Sequence, residues 1–87
     1  MPRVIFTHRV SNRELWAIKH AERVEAFKAW GSNVIDYLGA DGSNEVAVSV
    51  DVHDMEGMRA ALSSPQMAAA KRAHTVLEPV TVHIEQE

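Results

Sequence analysis

Apolar and polar residues alternate over four stretches of this chain, and two longer stretches between them repeat at helical spacing. In "RVIFTHRV" (3–10), Val4, Phe6, His8 and Val10 share one side at period two, and Ile5, Thr7 and Arg9 share the other. This pattern predicts a strand. "SNRE" follows, with Ser11 as N-cap and Glu14 three residues on, the pair of a capping box. It predicts a helix running to about Ala29 or Trp30, ended by Gly31 in a left-handed conformation. "NVIDYLG" (33–39) predicts a second strand and "ADGSN" (40–44) a turn. "EVAVSVDV" (45–52) alternates strictly, with Val46, Val48, Val50 and Val52 on one side. Asp54 caps a helix from Met55, and "SSP" (63–65) breaks it. Ser64 caps the continuation, with Pro65 in its first helical position, and it extends to about His74. In "PVTVHIE" (79–85), Val80, Val82 and Ile84 share one side of a last strand.

The order is β-α-β-β-α-β with a broken second helix. It predicts one ferredoxin-like α+β domain over residues 1–87, a four-stranded antiparallel sheet with helices on one face. The valine-rich rows belong under the helices, where water is excluded. Thr7, Arg9, Ser49, Asp51, Thr81, His83 and Glu85 then lie on the opposite face. That face is too polar for a monomer core and suits a wet interface.

Composition sharpens this in three ways. A chain of 87 residues buries only roughly 60 to 65% of its unfolded surface. It has no cysteine, so neither disulfides nor thiolate metal sites supplement the core. A homodimer is the expected remedy, and a reducing cytoplasm the expected location. The net charge of −3 and pI of about 5.9 argue against a nucleic-acid partner, which needs a basic face. "AAAKRAH" holds a basic pair but no patch. No apolar run approaches the length of a membrane span, and "MPRVIF" lacks the features of a signal peptide.

Three segments carry a family resemblance across essentially the whole chain: "HRVSNRELW" (8–16), "GSNEVAVSVDV" (42–52) and "LSSPQMAAAKRAHTVLEPVTVHIE" (62–85). With them the chain resembles the dimeric α/β-barrel superfamily. That group includes cofactor-free antibiotic-biosynthesis monooxygenases, aromatic polyketide cyclases, muconolactone isomerase and stress-responsive barrel proteins. The resemblance implies two sheets packed into a barrel by a homodimer, helices outside, and a small-molecule pocket between sheet and helices of each subunit. The polar strand face would then be the dimer interior. The pattern speaks more specifically for fold than for activity.

Candidate chemistry centres on histidine. On the first helix Trp16, His20, Val24 and Phe27 fall on one side, and Leu15, Ile18, Glu22, Ala26 and Ala29 on the other. Related barrels carry an apolar residue four places after the tryptophan, where this chain has His20. Met67, Ala70 and His74 line one stripe of the last helix. His8, His20 and His74 are therefore expected to converge between sheet and helices, with Trp16, Phe27, Met58 and Met67 as apolar walls. Histidine exchanges a proton near neutral pH, and Tyr37 could donate to a developing enolate oxygen. The expectation is a cofactor-independent cyclase, isomerase or monooxygenase acting on an apolar aromatic or polyketide-like small molecule. No nucleotide, phosphate-loop or serine-nucleophile motif is present, and Ser63 and Ser64 read as caps.

Each residue also has a plainer reading. His8 can be a hydrogen-bonded structural group, His20 can face water, and His74 can sit at a helix's negative end. The Trp16 and Phe27 stripe can be core, and Tyr37 can face the interface. Asp51, His53 and His83 could gather on the polar face, but their spacing matches no compact metal motif, so a polar network is expected there and no metal. The alternative function is a non-catalytic homodimer that binds a small ligand or is purely structural. An RNA module is disfavoured, because the sheet lacks the exposed aromatic pair such modules stack on bases.

Overall fold

A computed structural model of the chain describes residues 2–86. Its elements are β1 (Arg3–Val10), α1 (Arg13–Ile18), α2 (His20–Phe27), β2 (Gly31–Leu38), β3 (Glu45–Val52), α3 (Met55–Leu62), α4 (Pro65–Ala73) and β4 (Val76–Ile84). The strands form one antiparallel sheet in the order β2-β3-β1-β4. The ferredoxin-like α+β arrangement is as expected, with each helical connection divided in two.

Strand parity follows the sequence. Val4, Phe6 and Val10 of β1 are buried with all four valines of β3, and Trp16, Phe27, Trp30 and Met58 close over them. The last strand behaves differently. Register puts Val82 opposite Phe6 and Ile84 opposite Val4, on the helix side of the sheet. Yet Val82 and Ile84 are 41% and 52% exposed. β4 is an edge strand, and of its inward residues Val76 and Val80 pack against the core cluster.

Four local expectations are corrected. The first N-cap is Asn12 rather than Ser11: its side chain accepts from the Leu15 N–H, as a cap must. The first helix does not run unbroken, because it divides at Lys19 (φ −95°, ψ 17°). There the Trp16 carbonyl accepts from the Lys19 N–H at 3.2 Å and from the Arg23 side chain at 2.9 Å. Gly31 is not a left-handed cap but the first residue of β2; positive φ falls on Gly42, Asn33 and Thr75. Glycine is required at 31 by close approach, since a Cβ there would meet Val50 Cγ2 at 2.6 Å. Finally, β4 begins at Val76, ahead of a cis Glu78–Pro79 bond, rather than at Pro79.

Thr75 joins the two helical layers. It holds φ +60° directly after His74, the C-cap of α4. Its hydroxyl donates to the Asn12 carbonyl and accepts from the Asn12 N–H, both at 3.3 Å, while its own carbonyl accepts from the Ser11 N–H at 2.9 Å. These bonds hold a β-branched residue in a conformation it rarely adopts.

The face away from the helices carries more apolar surface than its polar residues suggest. Ile35 pairs with Ser49 and Tyr37 with Ala47, which places both on that side. Ile5, Ile35, Tyr37 and Leu77 are exposed there.

Candidate active site

A cavity of about 390 Å³ lies between the sheet and the helices. Phe6 and His8 of β1 and Val48 of β3 contribute from the sheet; Trp16, Arg23 and Phe27 contribute from the first helical layer, and Met67, Ala70 and His74 from the second. Its walls are mainly apolar; the polar residues that line it are His8, Arg23 and His74, with Glu22 and Lys71.

His8 sits where the sheet is irregular. β1 pairs regularly with β3, but its register on β4 shifts between Thr7 and Arg9, so His8 faces Val46 on one side and a bulge on the other. Pro79 lies in the skipped segment and cannot donate to a ladder. The imidazole meets Trp16 edge-on, with ring centroids 5.9 Å apart and planes at 70°. Both ring nitrogens are buried, and neither has a hydrogen-bond partner among the described residues. Burial, and after it the nearby Arg23 guanidinium, pushes its pKa down to about 4, with Glu78 opposing. His8 is therefore neutral throughout the physiological range, with one nitrogen carrying a free lone pair.

Arg23 organises the other polar groups. It is buried, and its guanidinium lies 4.0 Å from the Trp16 ring centroid. Nε donates to Asp36 Oδ1 at 3.2 Å, Nη2 pairs with Asp36 Oδ2 and donates to the Trp16 carbonyl, and Nη1 lies 3.1 Å from Nδ1 of His74. Asp36 also meets His20 Nδ1 at 2.9 Å. The buried cation is thus matched by a carboxylate and has a partner in four directions. His74 is buried, and burial followed by the Arg23 charge lowers its pKa.

The structure brings His8, His74, Trp16, Phe27 and Met67 into one cavity. Three other candidates lie elsewhere. His20 is about half exposed and faces Asp36, outside the cavity lining. Tyr37 is on the far side of the sheet, its hydroxyl 2.9 Å from Ser49 Oγ. Met58 is 2% exposed and belongs to the core rather than to the cavity wall.

Arg23 and Asp36 were not anticipated. Arg23 lies close to two full helical turns beyond Trp16, so it falls on the inward stripe that Trp16 shares with Phe27, whereas Val24 is rotated off that stripe and is 39% exposed. Asp36 gave a usable signal: in "NVIDYL" it is a lone charge between Val34 and Leu38 on the helix side of β2. A carboxylate in that row calls for a buried cation opposite it.

Among the described residues no group of three or more His, Cys, Asp or Glu side chains is placed to hold a metal ion. Asp51 instead pairs with Arg3 at 3.1 Å and accepts from Asn33 at 3.2 Å. No helix among the described residues is long and apolar enough to cross a membrane.

No family model matches the chain, and no curated protein matches it by sequence. Solved structures do. A protein from Bordetella bronchiseptica, described as an antibiotic biosynthesis monooxygenase, is similar at a TM-score of 0.67 with 17% identity, over 99% of this chain and 95% of that one. SnoaB, a cofactor-independent oxygenase from Streptomyces nogalater, is similar at a TM-score of 0.68 with 14% identity, over 99% of this chain and 91% of its own. A Deinococcus radiodurans protein with the same description as the first gives 0.66 and 11%, over 100% and 92%. The chain therefore has the fold of the antibiotic-biosynthesis-monooxygenase proteins, the group its strand-and-helix order resembles.

Proposed function

We propose that this protein is a small-molecule enzyme that moves a proton with His8 on an apolar aromatic or polyketide-like substrate, needing no cofactor. One observation carries the reading: an imidazole with both nitrogens unpartnered at the wall of an apolar cavity. Leaving such a group unsatisfied costs roughly 1–3 kcal/mol, and a ligand that hydrogen-bonds to it recovers that cost. Phe6, Trp16, Phe27 and Met67 offer flat apolar surface for a ring system.

In the free protein His8 is a weak base that is always unprotonated at neutral pH. It takes the proton of an acidic C–H or O–H of the substrate, and the resulting enolate raises the basicity of the adjacent imidazole by its own charge. The enolate can then be reprotonated elsewhere or cyclise. With dioxygen as oxidant, a ring CH₂ becomes a carbonyl and the second oxygen leaves as water. Similarity to SnoaB in fold is compatible with this last outcome. A second copy laid on the open sheet face, over Ile5, Ile35, Tyr37 and Leu77, completes the proposed homodimer.

The test is turnover of a panel of anthrone-like and cyclic β-diketone compounds, followed by absorbance and oxygen uptake, for the native protein and His8→Ala. Turnover lost in a variant with unchanged circular dichroism supports the reading. Equal turnover in both proteins refutes the role of His8, and tight ligand binding without turnover assigns the cavity to a carrier.

A further inference from the structure

We propose that Arg23 is a positioning residue that fixes His74 as its Nε2–H tautomer, making His74 the donor to an acceptor oxygen of the cavity's ligand and leaving His8 as the proton acceptor. The inference rests on the cavity reading above for its ligand, but not for the tautomer.

The argument is one of donor and acceptor capacity. A guanidinium has only donors. Its Nη1 lies 3.1 Å from Nδ1 of His74, so that nitrogen must present a lone pair. The proton of the neutral ring is then on Nε2. Protonating Nδ1 would set an N–H against an N–H beside a fixed positive charge. Arg23 cannot turn away to relieve this, because Asp36 and the Trp16 carbonyl hold its other nitrogens and its plane lies against the Trp16 ring. Nε2 of His74 has no hydrogen-bond partner among the described residues, and the ring lines the cavity. The two cavity histidines are thereby made unequal. His74 has one tautomer imposed on it; His8 has none imposed, because neither of its nitrogens is engaged. A ligand with an acidic hydrogen near one side and a carbonyl or oxyanion near the other satisfies both. Keto–enol compounds have that layout.

The tautomer is read directly, without ligand, from two-bond ¹H–¹⁵N correlation spectra of the full chain labelled at histidine nitrogen. At neutral pH the native protein should show His74 with a bare Nδ1 and a protonated Nε2. In Arg23→Gln/Asp36→Asn, which removes both charges together, the pattern should broaden to a mixture. Arg23→Lys, which restores a cationic donor, should return it towards one form. A protonated Nδ1 in the native protein overturns the proposal, and this spectrum suffices if the double variant fails to fold. So does a double variant with an unchanged tautomer.

For the donor role, para-nitrophenol is the probe, since its ionised form absorbs in the visible. Loss of one aligned donor predicts roughly tenfold weaker binding to His74→Phe. Equal affinity overturns the donor role. If the native protein does not take up the probe, the cavity reading and the donor role fall together, while the spectrum still decides the tautomer.

Discussion

The guanidinium carbon of Arg23 stands 4.0 Å from the centre of the Trp16 ring, with Asp36 bonded along the edge of the same guanidinium. A cation, a carboxylate and an indole from three elements thus share one desolvated spot, and the candidate site is built around it.

Removing the cation alone should be costly. Arg23→Met leaves Asp36 partly buried without its charge partner and should destabilise the protein by about 3–5 kcal/mol. Arg23→Met/Asp36→Leu, which takes out both charges, should recover most of that. Urea unfolding monitored by tryptophan fluorescence measures both. A single variant within about 1 kcal/mol of the native protein would show that the ion pair has little structural weight.

His8 should behave in the opposite way. His8→Leu removes two buried nitrogens that lack partners and replaces them with apolar volume. It should stabilise the fold by about 1 kcal/mol and lose turnover. Unfolding midpoints of the ligand-free proteins compare the two. A destabilised variant would indicate that His8 has a structural partner.

Acid should weaken the fold before it protonates most carboxylates. The pKa of His8 is about 4 folded against 6.5 unfolded, so the unfolded chain binds the proton first as pH drops. The associated stability is fully present above about pH 6.5 and is lost as pH falls towards 4; His74 shifts in the same direction. At about 1.36 kcal/mol per unit, discounted for partial exposure, His8 accounts for roughly 2 kcal/mol. The native protein should therefore lose more stability than His8→Leu between about pH 7 and about pH 4.5 in matched urea titrations. Parallel losses would contradict the assignment.

Gly31→Ala tests the packing of β2 against β3. The added Cβ would lie 2.6 Å from Val50 Cγ2 and 3.1 Å from the Asp51 carbonyl oxygen, and Val50 is fully buried. Overpacking of this kind costs about 1–3 kcal/mol. Thermal unfolding should show a clear fall in Tm. An unchanged Tm would mean that β2 can move away freely.

For the open sheet face, Tyr37→Arg and Ile35→Lys place charge in the proposed interface. Size-exclusion chromatography with light scattering should show the native protein at twice the chain mass and each variant at a smaller mass or in dissociating equilibrium. A native monomer would refute the dimer.

The fold was legible because its signals are local and periodic. The alternation of Val46 to Val52 fixes one face of β3, and Ser64 with Pro65 marks the restart of a helix in sequence as in structure. What was not legible depends on phase and on partners distant in sequence. A continuous helical pattern gives no sign of the break at Lys19, and a charge at Arg23 on the Trp16 and Phe27 stripe reads as a misfit until Asp36, thirteen residues on, is found facing it. Tyr37 alternates equally well with either face until the bulge at Asn33 and Val34 sets its parity. The position of His8 could be read from its row. That neither ring nitrogen meets a partner among the described residues depends on side chains brought in by distant elements, which no stretch of the sequence announces.

The knot between Asn12 and Thr75 has a mechanical corollary. His74 adjoins one half of it, and Trp16 stands one turn beyond the other. At that end, two walls of the chamber are stitched together by residues 63 positions apart and cannot separate without tearing the stitch.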